Sequence, residues 1–205
     1  MRTLAIETAT AACSVALLDG DRLMADIHEV VGRGHAERLI PMISELPHAG
    51  RADRILVDCG PGSFTGIRVG LAAARALGLA WGVPVQGYCA LALLAATAFS
   101  EAGAPDRVAC ALTGGHGELF VQSFAAAPFR QTSALASLRP AEAAANLTDE
   151  LVIGSGAPCL VAARLTGVAR DALPNARDVA HLSAEFTALP ATPIYGRAPD
   201  ARPAA

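Results

Sequence analysis

A glycine-rich turn, Gly60-Pro61-Gly62-Ser63-Phe64-Thr65-Gly66, constrains this chain more than any other feature of its sequence. It follows the apolar run Ile55-Leu56-Val57 of a strand expected over residues 54–59, a run that predicts burial on both faces. It leads into a helix expected over residues 65–81. A strand-to-helix turn of this kind aims backbone N–H groups outward at a helix N-terminus. Gly60, Gly62, Ser63 and Thr65 are therefore a candidate anion loop, with Ser63 or Thr65 as N-cap and Asp58 placed to orient the N–H groups. The alternative is that the glycines serve a tight turn and close helix packing. The loop lacks the Gly-Lys-Ser/Thr ending of a P-loop, so triphosphate binding is not implied.

Around this turn the chain reads as strands at 4–7, 13–18 and 22–28, with Asp19-Gly20-Asp21 as a hairpin turn between the last two. A helix is expected over 35–46, with Leu39, Met42, Ile43 and Leu46 on one face and Pro41 bending its axis. A short strand at 84–86 precedes a helix running to about residue 100. Three antiparallel strands, then helix, strand, helix, strand, helix, is the order of a ribonuclease-H-like lobe. That lobe is the repeating unit of the actin-like ATPase superfamily, and it predicts an α/β fold with a mixed sheet. A weaker second pass has strands at 108–112, 118–124 and 151–153 and helices near 141–145 and 157–165. The expected organisation is an N-terminal lobe at 1–102, a reduced C-terminal lobe at 106–190 and an extended tail at 191–205.

Composition removes several chemistries. All sixteen basic residues are arginine, which excludes a Walker lysine, a Schiff base and a kinase-type phosphate lysine. A net charge of −3 gives no support for autonomous nucleic-acid binding. Five scattered cysteines without a CxxC pair read as reduced thiols. The N-terminus enters a strand without a signal-peptide h-region, and the expected location is cytoplasmic. The uncharged stretch 76–100 is long enough to span a bilayer, but Gly78, Gly82, Pro84, Gln86, Gly87 and Tyr88 divide it, so no membrane span is expected. No metal site is expected, because no two of His28, His35, His48, His116 and His181 lie three or four apart. Cys59 has no evident base, which leaves a buried thiol. His35 reads as a surface or capping group or a functional one, and Glu7 as a structural hydrogen-bond partner or a holder of water or cation.

The sequence Gly-Pro-Gly-Ser-Phe-Thr-Gly-Ile-Arg-Val-Gly at 60–70 resembles the signature of the TsaB (YeaZ) family. Leu4-Ala5-Ile6-Glu7-Thr8-Ala9-Thr10 with Ser14-Val15-Ala16 resembles its N-terminal hairpin. The run from His35 to Ile43 resembles its first helix. Pro193-Ile194-Tyr195-Gly196-Arg197 resembles its Pro-x-Tyr-Leu-Arg tail. The resemblance implies a non-catalytic subunit, without cofactor or catalytic residues, for tRNA N6-threonylcarbamoyladenosine (t6A) synthesis. Implied partners are a TsaD-type catalytic subunit, a TsaE-type ATPase, a second copy of the chain when TsaD is absent, and tRNA only through the complex. In the family's catalytic relative a His-x-x-x-His pair holds a metal; Ala90 and Leu94 stand at those positions here. Glu7 replaces the family's aspartate, Thr113-Gly114-Gly115 replaces its Asp-x-Arg, and Gly196 replaces its leucine. An active nucleotide-dependent enzyme of the actin-like superfamily, a small-molecule kinase or hydrolase, is the alternative.

A subunit without chemistry acts through a surface. The helix from Thr65 is apolar or small almost all round, with Gly70, Ala74 and Gly78 on one strip and Val69, Leu77 and Trp81 expected to cover the sheet. With the helix from His35 it forms the expected interface: His35, Arg38, Leu39, Met42, Arg68, Leu71, Ala72, Arg75 and Leu79.

Overall fold

In the computed structural model, residues 1–196 are described. Arg197 and the remainder of the expected tail lie outside the described residues. The first sheet contains β1 (Arg2–Glu7), β2 (Ala12–Asp19), β3 (Arg22–Val30), β4 (Arg54–Asp58) and β5 (Val85–Tyr88). Its order is β3-β2-β1-β4-β5, antiparallel on the β1–β2–β3 side and parallel across β1, β4 and β5. β2 is buried from Ala12 to Leu18 and β1 from Thr3 to Glu7, as central strands covered on both faces must be. α1 (His35–Glu45) continues through Pro41 and buries Leu39, Met42 and Ile43. α2 (Phe64–Trp81) lies against β1 and β4 beside α1, and ends on Gly82 in the left-handed conformation.

α3 (Ala90–Phe99) explains the long uncharged stretch. It buries Leu91, Leu93, Leu94 and five alanines around its whole circumference. It packs on the inner face of the second sheet, and one apolar core runs from Leu4 and Ile6 of the first sheet through α3 to Val108, Cys110, Leu112 and Phe124. No helix among the described residues is long and apolar enough to cross a membrane. The small side chains that dominate the composition are what allow a helix to sit this close to its neighbours.

The second sheet is built from β6 (Arg107–Thr113), β7 (Leu119–Ala125), β8 (Arg130–Gln131), β9 (Ala136–Leu138), β10 (Leu151–Ile153) and β11 (Val168–Arg170), in the order β11-β10-β6-β7-β8 with β9 also on β7. Strand alternation divides β6: Val108, Cys110 and Leu112 face α3, while Ala109 and Ala111 face a smaller core under α4 (Pro140–Asn146) and α5 (Ala157–Arg164). Two sheets with this strand order and these helices form the α/β actin-like fold. β8, β9 and β11 were not expected, because two or three residues carry no readable period.

The chain leaves the second sheet after Arg170, earlier than the expected lobe boundary at 190, and returns to the first. Short helical turns at Ala176–His181 and Ala184–Thr187 pack there. Ser14 ties the return down: its hydroxyl donates to Asn175 Oδ1 at 3.0 Å and accepts from Ala176 N–H at 3.1 Å. The Asn175 carboxamide therefore serves the polar middle of β2 rather than solvent.

Candidate functional site

The parallel register carries Ile6 beside Val57 and Asp58 beside Tyr88. Glu7, Asp58 and Tyr88 therefore form a row across the carboxyl ends of β1, β4 and β5, the end of a parallel sheet where open α/β folds bind ligands. Here the row is sealed, with all three residues fully buried. Glu7 Oε1 accepts from Ala9 N–H at 2.9 Å, and the Tyr88 hydroxyl lies 2.9 Å from Ile6 O and 3.4 Å from Glu7 Oε2. Asp58 Oδ1 accepts from Gly60 N–H at 3.0 Å. Asp58 Oδ2 has no hydrogen-bonding partner among the described residues. Burial, and then the charge of Asp58, hold the Glu7 carboxyl well above the usual carboxylate range, and burial raises Asp58 too. A proton kept on Glu7 lets the two neighbouring carboxyls share a hydrogen bond instead of facing each other as like charges. Of the two roles open to Glu7, the geometry is that of the structural hydrogen-bond partner.

The shared proton has a consequence for stability. Both carboxyls bind protons more tightly folded than unfolded, so their contribution is complete below the unfolded carboxylate pKa. It is lost as pH rises through the folded values. Stability is expected to decline from about pH 5 to pH 8, and Glu7→Gln, whose amide donates without a proton, to flatten that decline and add about 1–2 kcal/mol at pH 8. Urea unfolding of both proteins at four pH values checks this; an unchanged slope in Glu7→Gln would remove the pair as its source.

The loop after β4 takes the packing alternative. Ser63, not Thr65, is the N-cap, and its hydroxyl accepts from Gly66 N–H at 3.2 Å. Ser63 N–H donates to Ala9 O at 2.6 Å, and Gly60 N–H is committed to Asp58. A Cβ built on Gly62 or Gly66 would overlap the carbonyl of Ala9 or Thr8. The β1–β2 hairpin turn thus takes the Ser63 N–H and the space over Gly62 and Gly66 of the candidate anion loop. Cys59 is equally closed off: burial, followed by the charge of Asp58, pushes its thiol up to about 12.

The expected partner face needs redrawing. His35, Leu39, Met42 and Leu71 belong to the chain's own core; the His35 ring Nε2 sits 3.1 Å from Ala12 O. Leu71 turns inward because Gly70, Ala74 and Gly78, not Val69, Leu77 and Trp81, form the strip of α2 closest to the sheet. Gly70 meets Thr8 and Val57, and Gly78 meets Val85. Arg38 grips Glu29 with two nitrogens, at 2.8 and 2.5 Å, and reaches Glu45 at 3.3 Å. The outward stripe of α2 is instead Phe64, Arg68, Ala72, Arg75, Ala76 and Leu79, with Leu79 88% exposed and Phe64 54%. The Arg68 guanidinium carbon lies 3.5 Å from the Phe64 ring centroid. α2 contains no acidic residue. Beside it α1 exposes Ile40 and Pro41. Phe64 and Ile40 join the face as residues not among those expected there, although the helical period opposite the buried positions points to both.

Residues 189–196 form a strap along the edge of the first sheet, bent at Ala191 and Thr192. Leu189 pairs with Gly87 of β5 through both main-chain bonds, at 2.6 and 3.1 Å, and Ile194 N–H donates to Cys59 O at 2.7 Å. Arg75, expected to be free for a partner, donates from Nη2 to Ala191 O at 2.6 Å. The Tyr195 ring lies 5.6 Å from that of Phe64. Gly196 has no room for the family's leucine: a Cβ there would stand 2.6 Å from the Phe120 ring.

A family model described as TsaD, tRNA N6-adenosine threonylcarbamoyltransferase, matches residues 27–151. The Escherichia coli tRNA threonylcarbamoyladenosine biosynthesis protein TsaB is 38% identical over 125 residues, 58% of this chain and 53% of that protein. Haemophilus influenzae TsaB is 40% identical over 112 residues, 52% and 47% of the two chains. These matches span about half the length of those curated relatives. The crystal structure of YeaZ from Pseudomonas aeruginosa superimposes with a TM-score of 0.79 at 32% identity, over 95% of this chain and 99% of that one.

Proposed function

The chain belongs to the TsaB (YeaZ) family, and from that membership we propose that it is a non-catalytic subunit in t6A synthesis that binds and activates a TsaD-type threonylcarbamoyltransferase. The observation that carries this reading is the outward stripe of α2: Phe64, Ala72, Ala76 and Leu79 interleaved with Arg68 and Arg75, with no acid in α2, on a helix whose other side is already packed on the sheet. An apolar, positively charged strip of this kind suits a partner helix bearing aliphatic and acidic residues. Together with α1 it can supply the roughly 800 Å² per partner of a standard interface. The family model's match to TsaD supports a pseudo-symmetric pairing, like helices on like helices, and the same face serves a homodimer when TsaD is absent.

Activation then follows from differential binding: the partner's active conformation fits this face better than its inactive one. The sealed Glu7–Asp58–Tyr88 row favours that role over an independent nucleotide enzyme, because neither carboxylate reaches a substrate. A TsaE-type ATPase acts on the assembled pair, and tRNA enters through the complex.

The test is t6A formation in a reaction reconstituted from the threonylcarbamoyltransferase, the ATPase, the threonylcarbamoyl-adenylate synthase and tRNA. Product is expected only when this chain is added, and none from the chain without its partner. Equal product with and without it would end the subunit reading.

A further inference from the structure

We propose that the strap, residues 189–196, is a working part of the docking face on α2, so that partner binding and strap docking reinforce one another. This rests on the docking role proposed above. Two contacts tie the strap to the stripe a partner would cover. The Arg75 guanidinium, midway along the stripe, is spent on Ala191 O. The Tyr195 ring, half exposed, lies against Phe64, whose ring is already under Arg68. Arg68, Phe64 and Tyr195 thereby form one cation–aromatic cluster at the N-terminal end of α2, and a third of it comes from the strap. Aromatic and arginine side chains in contact with one another are the residues that dominate binding energy at interfaces.

The strap is held at few points along its length. Its eight residues are fixed by three main-chain hydrogen bonds to Gly87 and Cys59, one from Arg75, and a contact of Cys59 Sγ 3.6 Å from Pro190 O. The partly buried side chains of Leu189, Ala191 and Ile194 add to these, while Pro190 and Pro193 contribute no donors. It lies on the outer edge of β5, where it covers a strand edge that would otherwise be unpaired. A partner resting on Tyr195 adds contacts that exist only in the docked state and shifts the strap towards it. By the same linkage, a docked strap binds the partner more tightly.

The experiment compares the full chain with Tyr195→Ala and Arg75→Ala, measuring affinity for the purified threonylcarbamoyltransferase by calorimetry, the melting temperature, and amide exchange at Gly87, Leu189 and Ile194. Tyr195→Ala is expected to bind about ten-fold more weakly at an unchanged melting temperature. Arg75→Ala is expected to speed exchange at all three amides, and the partner to slow it in the native chain. Native chain that binds, with Tyr195→Ala binding equally well and strap exchange indifferent to partner, would overturn the inference and leave the docking role standing. Native chain that does not bind would overturn both.

Discussion

Gly66→Ala is expected to destabilise the chain by at least about 3 kcal/mol, enough to leave little of the stability of a domain this size. The reason is a close approach and has nothing to do with helix propensity, on which alanine would gain about 1 kcal/mol. Gly66 lies in the first turn of α2, and a methyl group there would overlap Thr8 O, while the Thr8 hydroxyl donates to Gly66 O at 2.8 Å from the other side. Neither neighbour can retreat. Thr8 follows Glu7, which is fixed by the buried carboxyl row, and precedes Ala9, whose carbonyl accepts from Ser63 N–H. Relief requires α2 to lift from β1, which would open the core around Ile67, Leu71 and Ala74. Gly115→Ala is the matching control: its Cβ meets nothing within 4 Å, and its φ is not in the left-handed region, so it is expected to be neutral within about 0.5 kcal/mol. Urea denaturation of the three proteins measures both. A Gly66→Ala protein as stable as the native chain would show that hairpin and helix are not locked together at this point.

That lock was only half legible in the sequence. The elements themselves could be read: β1, β2, β4 and α1 to α3 carry long apolar runs or strong periods, and the glycine turn marks where α2 begins. The orientation of α2 could not. When every face of a helix is apolar or small, periodicity cannot say which face meets the sheet. The choice is made by neighbours that only the folded chain brings against the helix, Thr8 from the β1–β2 turn and Val85 from β5, which leave room only for glycine at positions 70 and 78. Leu71 therefore reads as a partner-face residue in the sequence and turns into the core in the fold. Leu39 and Met42 were recognisable as one apolar face of α1, but an apolar face reads alike whether it packs on β2 or on another protein. The strap carries no hydrophobic period, since Pro190, Pro193 and isolated apolar residues fit neither that of a helix nor that of a strand, and the tail motif from Pro193 marks it without saying where it docks. Its position depends on the unpaired edge of β5 and on a guanidinium 116 residues earlier.

Leu79→Glu is expected to weaken binding to the threonylcarbamoyltransferase by at least about 100-fold while changing the stability of the free chain by less than about 1 kcal/mol. Both halves follow from position. At 88% exposure the side chain contributes little to the core, so the fold does not depend on it. A carboxylate in the last turn of α2 meets the negative end of the helix dipole, a cost of a few tenths of a kcal/mol. Leu79 is nonetheless the bulkiest apolar group at that end of the stripe, flanked by Ala76 and Ala80, so a partner helix approaching this flat ground would close around it. Buried there, a glutamate would be stripped of water and matched against the acids expected opposite Arg68 and Arg75. Val168→Glu, a comparable change at an exposed apolar residue of the second sheet, should leave affinity untouched. Calorimetric titration against the partner, with unfolding curves for each variant, separates the cases. If Leu79→Glu binds like the native chain and Val168→Glu does not, the interface lies on the second sheet and the role proposed for α2 is wrong. If only Leu79→Glu fails, and the same substitution also dissociates any homodimer of the free chain, one face serves both assemblies and the two must compete for it.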